Sequence, residues 1–254
     1  MPLSHEGHHH DRLESEAEFF DRSYATDVRA GASRFYSVTI SSERHYRQSV
    51  LEHVRGKTVL EYGCGTGSSA FEIARLGGRV VGVDISPVAI EKAREQAAQE
   101  GLSDRVEFLV MDAEELSFDD ASFDIVAGSG ILHHLDLERG YDEIARLLTP
   151  RGVAVFFEPL GHNPLINWYR NRTPHMRTPD EHPLLMSDLK RAGGSFSSVE
   201  VSFYHLFSLA IVPLRSTPLF KPLYALTEGI DRVVMTIIPP LRAWAWCAVI
   251  ELRK

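Results

Sequence analysis

The sequence predicts an α/β fold with a doubly wound, mainly parallel sheet. Between residues 57 and 157, short apolar runs typical of strands alternate with runs typical of helices. The connections are short, and the first apolar run ends in a glycine-rich turn. Strands that alternate with helices in this way are joined by right-handed crossovers, so we expect helices on both faces of the sheet.

Five strands and three helices make up this alternation. We predict strands at residues 57–62, 79–83, 105–111, 123–127 and 153–157, and helices at residues 68–76, 87–99 and 141–148. Pro87 stands in the first turn of the second helix, where its missing N–H costs no hydrogen bond. Glycines end the first helix, and Pro150 closes the third.

We expect the whole chain, residues 1–254, to form one domain with three parts. Residues 1–54 have aromatic and apolar residues among charges, which predicts a helical cap on the core at residues 55–158. The pattern changes in residues 159–254, which begin with a loop rich in Pro, His and Arg. A helix at 184–192, a strand at 199–207, a proline-interrupted apolar insertion at 209–240 and a last strand at 243–252 follow.

The composition indicates which kinds of partner and which cellular compartment to expect. The formal charge of −8 disfavours a nucleic-acid partner, because proteins that grip phosphates usually carry a basic surface. Cys64 and Cys247 are the only cysteines, and reduced thiols suit the cytoplasm, where we expect this protein. Residues 1–14 resemble no signal peptide, and no apolar run approaches the roughly 18 residues of a membrane span. Four clustered histidines are more typical of a disordered end than of a metal site, and we expect no metal: His5, His8, His9 and His10.

The glycine-rich turn at residues 61–67, with the sequence Glu-Tyr-Gly-Cys-Gly-Thr-Gly, leads from the first strand into a helix. Glycines let a backbone approach a ligand closely, and the helix offers free N–H groups at the edge where α/β proteins bind ligands. The turn alone is ambiguous. Residues 65–70 also match the dinucleotide pattern G-x-G-x-x-A, with Asp84 at the distance that a ribose ligand requires. An NAD(P)-dependent oxidoreductase therefore stays an alternative, as does a cofactor-binding module without catalysis.

Three further features favour a different cofactor. Glu61 stands two residues before Gly63, where an acid can accept a hydrogen bond from the amino-acid group of a ligand. A nicotinamide ligand would gain nothing from an acid at this position. Asp112 closes the third strand, in position to contact an adenine amino group. The fourth strand then leads to the sequence Gly-Ser-Gly-Ile-Leu-His-His at residues 128–134.

As a set, these motifs resemble those of the class I S-adenosylmethionine-dependent methyltransferases, over residues 57–158. The resemblance implies a Rossmann-like fold whose sheet finishes with an antiparallel strand in a hairpin at the edge, a role that suits residues 243–252. It also implies S-adenosylmethionine as the cofactor and S-adenosylhomocysteine as the product. For the methionine portion it implies Glu61, Gly63 and Gly65, and for the ribose it implies Asp84. For the adenine it implies Ile85, Asp112 and Ala113, and for the sulfonium Ser129 or Gly130.

Candidate catalytic groups follow the fourth strand. His133 and His134 are predicted at the mouth that faces the transferable methyl group, where an imidazole can take a hydroxyl proton near neutral pH. In related small-molecule enzymes a tyrosine of the amino-terminal helices meets such a histidine. The candidates are Tyr24, Tyr36 and Tyr46, and Tyr24 and Tyr36 are predicted to contact the acceptor, although core packing is an alternative role for each tyrosine.

The region after residue 158 is predicted to build the acceptor pocket. Arg170 and Arg172, with Arg177 nearby, could receive a carboxylate or phosphate on an apolar body, although a solvated surface loop is the alternative. The insertion at 209–240 could be a lid, a dimer surface or a patch in weak contact with a membrane. We therefore expect methyl transfer to a small, lipophilic and acidic metabolite, with O-methylation ahead of C-methylation on a quinone or isoprenoid.

Overall fold

A single seven-stranded sheet forms the centre of the computed structural model, which describes residues 5–26, 35–178 and 181–254. Its strands are β1 (Thr58–Tyr62), β2 (Arg79–Asp84), β3 (Val106–Val110), β4 (Phe123–Ser129), β5 (Leu148–Pro159), β6 (Ser198–Tyr204) and β7 (Cys247–Arg253). The strand order is β3-β2-β1-β4-β5-β7-β6. Strands β1 to β5 pair in parallel, and β7 runs antiparallel to both of its neighbours.

Eight α-helices surround the sheet in the described part of the chain. They are α1 (His5–Thr26), α2 (Ile40–Leu51), α3 (Ser68–Arg75), α4 (Pro87–Glu100), α5 (Leu137–Leu147), α6 (Pro164–Arg172), α7 (Met186–Arg191) and α8 (Phe220–Ile237). Side-chain caps mark where several helices begin. Ser86 accepts the N–H of Ala89 at the start of α4, and Asp136 accepts those of Glu138 and Arg139 at the start of α5.

Apolar side chains fill both faces of the sheet, as a doubly wound fold requires. Consecutive strand residues point to opposite faces, so Val59 and Leu60 of β1 belong to two different cores. One core includes side chains of α2, α3 and α4, and the other includes side chains of α5 and α7. The predicted fold class is confirmed.

The antiparallel strand expected within residues 243–252 is confirmed as β7, which pairs with the outermost strand β6. The structure corrects two expectations about the region after β5. The segment predicted as a loop contains α6, since Pro164 occupies its first position, where no N–H is needed, and Asn163 caps it. The strand predicted to reach residue 207 ends at Tyr204, because His205 has a φ of +66°.

The apolar insertion contains a long helix, which its prolines had made hard to predict from the sequence. Pro222 lies in the first turn of α8, and Pro239 follows the last turn, so neither interrupts the helical hydrogen bonds. Asp231 ties α8 to the segment after β6. Its buried carboxylate accepts backbone N–H groups of Leu206, Phe207 and Ser208 at 3.1, 2.7 and 3.3 Å. None of the helices in the described residues has the length and apolar character needed to cross a bilayer.

We expect Asp231→Ala to lower the free energy of unfolding by about 2–4 kcal/mol, because three backbone N–H groups would lose a charged acceptor. Asp231→Asn keeps one acceptor oxygen, so its free energy of unfolding should fall by less. Urea unfolding at pH 7 measures both variants. Arg232→Ala, at the exposed neighbouring position of α8, is the control and should change the free energy by about 0.5 kcal/mol or less. Equal effects in Asp231→Ala and the control would contradict the role given to Asp231.

Candidate active site

Polar side chains gather at the carboxyl ends of the parallel strands. Glu61 lies in β1, Asp84 ends β2, Ser129 ends β4 and Glu158 lies next to the end of β5. Parallel strands end at the same edge of a sheet, so side chains from distant parts of the chain converge there. This convergence makes the edge the candidate site.

The glycine-rich turn after β1 is held by Asp84. The Asp84 carboxylate accepts the N–H of Gly65 at 2.8 Å and the N–H of Ser86 at 2.9 Å. Gly65 has a φ of +51°, and a Cβ at this position would lie 2.5 Å from the hydroxyl of Tyr24. Burial raises the pKa of Asp84, although its backbone hydrogen bonds act in the opposite direction. The turn therefore depends on both a missing side chain and a partly buried acid.

Glu61 lies beneath this turn. Its carboxylate is buried and accepts the N–H of Ala70 in α3 at 2.9 Å. Burial raises the pKa of Glu61 to about 8, and hydrogen bonds from Ser69 and Ala70 only partly offset this effect. A second carboxylate, that of Asp84, acts in the same direction as burial. Ionisation of this buried side chain therefore costs free energy.

A first cavity of about 130 Å³ lies between the strand ends and α1. The predicted cofactor-binding residues on its wall are Gly63, Asp84, Ile85, Asp112, Ala113 and Ser129. Helix α1 supplies the opposite wall with Arg12, Leu13, Glu16, Phe20 and Tyr24. Two carboxylates at strand ends thus face a mostly apolar space that α1 closes from above.

Polar contacts hold α1 over this cavity. Arg12 pairs with buried Glu114 and donates to the carbonyl oxygen of His134 at 3.1 Å. Farther along α1, Asp21 accepts the hydroxyl of Ser86 and the N–H of Val88. The predicted amino-terminal cap is therefore an anchored wall of the site.

A second cavity of about 230 Å³ adjoins the first. Its wall includes Tyr36, His133, Phe157, Arg170, Arg177, Glu181 and Trp246. Ser129 and Gly130 line both cavities, so the two spaces meet at the end of β4. Groups bound in the two cavities would therefore lie close to each other.

His133 is held by a buried acid in the second cavity. Its Nδ1 atom lies 2.7 Å from a carboxylate oxygen of Glu158, and the other oxygen accepts the N–H groups of Ile131 and Leu132 at 2.9 Å each. Burial raises the pKa of Glu158 to about 7, and the two backbone N–H groups act against this rise. The second ring nitrogen, Nε2, lies 3.9 Å from Glu181. The pair has the geometry of a base and the group that orients it.

Two arginines and an acid form the far wall of the second cavity. Arg170 lies 2.9 Å and Arg177 3.7 Å from the same oxygen of Glu181. Burial acts to raise the pKa of Glu181, but the nearby His133, His134 and Arg170 outweigh it, and the pKa lies below its usual value. These contacts lead us to expect that Glu181 holds both guanidinium groups in place.

Some predicted residues lie elsewhere. Arg172 stacks on the exposed ring of Trp168, at 4.0 Å from its centre, because residues 170 and 172 point to different sides of α6. His134 and Tyr24 line the first cavity and not the second. Of the predicted acceptor-binding residues, Tyr36, Arg170 and Arg177 line the second cavity. The side chains of the histidine cluster lie outside the described residues.

His133, His134 and Glu181 bring three potential metal-ligand atoms within 4.8 Å of one another. Both rings are buried, but Glu181 already lies between two arginines. Their charge disfavours a metal cation at this place. The prediction of no metal stays an expectation.

Sequence reasoning missed Glu158 and the partners of α1. Glu158 stands near the carboxyl end of a predicted strand, as Glu61, Asp84 and Asp112 do, and that position was a usable signal. Arg12 and Glu114 are separated by 102 residues, so no local pattern connects them.

Comparisons with known proteins identify similar methyltransferases. Residues 59–152 match the family model described as a methyltransferase domain. The sterol 24-C-methyltransferase erg6 of Aspergillus fumigatus is 34% identical over 170 residues, which are 66% of this chain and 42% of the relative. The demethylmenaquinone methyltransferase of Clavibacter sepedonicus is 40% identical over 106 residues, 41% of this chain and 42% of the relative. The chain thus spans less than half the length of these curated relatives.

A solved structure shows the same fold. The geranyl diphosphate C-methyltransferase of Streptomyces coelicolor has a TM-score of 0.61 and 16% identity, over 84% of this chain and 80% of that one. At this level of identity the likeness concerns the fold alone.

We expect buried Glu61 to make the stability of the protein depend on pH. Its pKa is about 8 in the folded chain and about 4.3 in an unfolded one. Between these values the folded state keeps a proton that the unfolded state has lost, so a rise in pH lowers the free energy of unfolding, by about 1.4 kcal/mol per pH unit. From pH 5 to pH 8, the wild type should therefore lose a few kcal/mol relative to Glu61→Gln, whose amide can still accept the N–H of Ala70.

Urea unfolding at several pH values measures this difference. Glu107→Gln, at an exposed position of β3, is the matched control and should follow the wild type. Parallel curves for the wild type and Glu61→Gln would show that Glu61 titrates at its ordinary pKa.

Proposed function

We propose that this chain, which belongs to the class I S-adenosylmethionine-dependent methyltransferases, transfers the methyl group of S-adenosylmethionine to a small lipophilic acceptor. The observation that carries the proposal is the pair of cavities that share Ser129 and Gly130. One cavity has carboxylates for a nucleoside, and the other has a histidine held by an acid. In-line transfer requires that donor and nucleophile face each other, and two adjoining cavities allow this.

The chemistry of the first cavity fits S-adenosylmethionine. In our proposal Asp84 accepts the ribose hydroxyls, Asp112 and Ala113 contact the adenine edge, and Ile85 covers its face. Gly63 and Gly65 let the backbone approach the methionine portion, while Glu61 supports the turn from below. The cavity is smaller than the roughly 300–1,000 Å³ of typical ligand sites, so we infer that α1 moves outward when the cofactor binds.

Electrostatics favour this cofactor over a dinucleotide. Glu16, Asp84 and Asp112 line the first cavity, and Arg12, the only arginine or lysine among the described lining residues, pairs with Glu114. S-adenosylmethionine carries a sulfonium and an ammonium group, which these carboxylates attract. A dinucleotide carries a pyrophosphate, which they repel. The oxidoreductase alternative is disfavoured for this reason.

We assign His133 as the base for an acceptor that carries a hydroxyl. When bound, S-adenosylmethionine would supply an electrophilic methyl group on its sulfonium and would leave as S-adenosylhomocysteine. Nε2 of His133 would accept the hydroxyl proton, and Glu158 would stabilise the resulting imidazolium through Nδ1. Tyr36, Phe157 and Trp246 offer contact to a lipophilic body. His134, which lines the first cavity, is left without a proton-transfer role.

The arginines suit an acceptor with an anionic group. Arg170 and Arg177 face the second cavity, and a carboxylate or phosphate of the acceptor could replace Glu181 as their partner. We therefore propose O-methylation of a lipophilic, acidic metabolite. Arg172 is not part of this proposal, since it stacks on Trp168.

C-methylation is the second candidate. The names of two relatives and of one solved structure state methylation of a sterol carbon, of demethylmenaquinone and of a carbon of geranyl diphosphate. Transfer to a carbon–carbon double bond would leave a carbocation, and Glu158 and Glu181 would place negative charge beside it. The carbocation would then lose a proton to a base such as His133. Nuclear magnetic resonance of the methylated product separates a methoxy group from a methyl group on carbon.

We predict that His133→Ala lowers turnover by roughly 10²–10⁴-fold on a hydroxyl acceptor, the usual range for a positioned base. Turnover of the wild type should rise as the pH passes about 7, where the His133–Glu158 pair loses a proton. In Glu158→Gln the amide would donate to Nδ1 and leave the proton on Nε2, so turnover should fall and the rise near pH 7 should disappear.

The assay measures S-adenosylhomocysteine formed from S-adenosylmethionine in the presence of one acceptor at a time: a hydroxynaphthoate, a long-chain phenol, a sterol or a prenyl diphosphate. Cofactor affinity, measured by calorimetry, should stay within twofold in both variants. Wild-type turnover in His133→Ala, with an unchanged pH profile, would reduce His133 to a packing role and favour the carbon acceptor.

A further inference from the structure

One side of α8 exposes a continuous apolar surface. Leu226, Ile230, Val233 and Ile237 recur at helical spacing, and between 41% and 72% of each residue is accessible. The opposite side packs on the protein through Tyr224, Asp231 and Met235. A helix that is apolar on both sides normally has a partner on each of them. The outer side of α8 has none within the described chain.

Exposed apolar side chains also lie just beyond both ends of α8 in the sequence. Leu219 precedes the helix and is 60% exposed, and Ile238 and Trp244 follow it at 47% and 50%. We call these three residues, together with the four outer residues of α8, the α8 face. Gly229 and Pro222 also lie on this side of the helix, so no charged residue interrupts it.

Charges beside the α8 face are mostly positive. Residues 209–242 contain four basic side chains and two acidic ones, although the whole chain has a formal charge of −8. One acid, Asp231, is buried beneath α8, and the other, Glu228, lies next to the hydroxyl of Tyr224. Lys221 and Arg232 are exposed on one flank of α8, where Ala225 and Thr236 separate them from the face. The surroundings are therefore basic on an otherwise acidic protein.

We propose that the α8 face binds the surface of a membrane that contains anionic lipids. An apolar helix side bordered by lysine and arginine lies in the boundary between headgroups and acyl chains, with its cations near the phosphates. Helix α8 would lie parallel to the bilayer, since its inner side stays packed on the sheet. A second copy of the chain fits less well, because a two-fold contact would bring the same basic borders together.

Binding to vesicles tests this proposal independently of the methyl-transfer reaction. Large unilamellar vesicles of phosphatidylcholine with 30% phosphatidylglycerol are pelleted with the protein, and vesicles of phosphatidylcholine alone serve for comparison. We expect binding to the mixed vesicles, at least tenfold weaker binding to the neutral ones, and weakening by added salt. Lys221→Gln should weaken binding to the mixed vesicles and leave the weaker binding to neutral vesicles unchanged.

The double variant Val233→Glu with Ile237→Glu should abolish binding, because two carboxylates would have to enter the apolar layer. Leu76→Glu is the matched control, at a leucine that is 41% exposed beside α3, and should bind like the wild type. Urea unfolding confirms that both variants are folded. Trp244 reports the contact directly. In Trp168→Phe, tryptophan emission should shift to the blue on the mixed vesicles and be quenched by brominated lipid.

Three results would overturn the proposal. The first is absence of binding to the mixed vesicles, and the second is binding that the double variant retains. The third is a wild-type dimer in sedimentation equilibrium that the double variant converts to monomers while vesicles bind neither form. That result would assign the α8 face to self-association.

Discussion

The hydrogen bonds of the Glu158 carboxylate hold the loop on which both cavities depend. One oxygen accepts the N–H groups of Ile131 and Leu132, and the other holds His133. These residues directly follow Ser129 and Gly130, the wall that the two cavities share. A buried carboxylate near the end of β5 thus fixes the position of the loop after β4. It also sets the orientation of the imidazole.

Three buried or partly buried carboxyl groups lie at the same edge of the sheet. Burial raises the pKa of Glu61, Asp84 and Glu158, which means that the folded chain bears a free-energy cost to keep these acids ionised. A cationic ligand in the first cavity would offset that cost for Asp84, which lines it. The raised pKa of Asp84 therefore supports the assignment of a sulfonium cofactor to this cavity.

Local sequence patterns were sufficient to predict the parallel core and the acids at the ends of its first strands. Each of these features depends on a few consecutive residues, such as the glycine-rich turn that begins after Glu61. The position of β7 could not be predicted in this way, because the order of strands depends on pairing between distant segments. The pairing of Arg12 with Glu114 is equally non-local. Helix α8 was missed for a different reason. The prolines in this region suggested an interrupted segment, but they lie only in the first turn of the helix and beyond its end.

Calorimetric titration with S-adenosylhomocysteine tests the central claim most directly, because it needs no acceptor. The account predicts binding of one molecule per chain and no heat from NAD. Asp84→Asn should weaken binding at least tenfold, since a charged acceptor for the ribose is lost. Asp104→Asn, an exposed acid in the turn before β3, should bind like the wild type. Unchanged affinity in Asp84→Asn, or a wild type that binds NAD and not S-adenosylhomocysteine, would contradict the account.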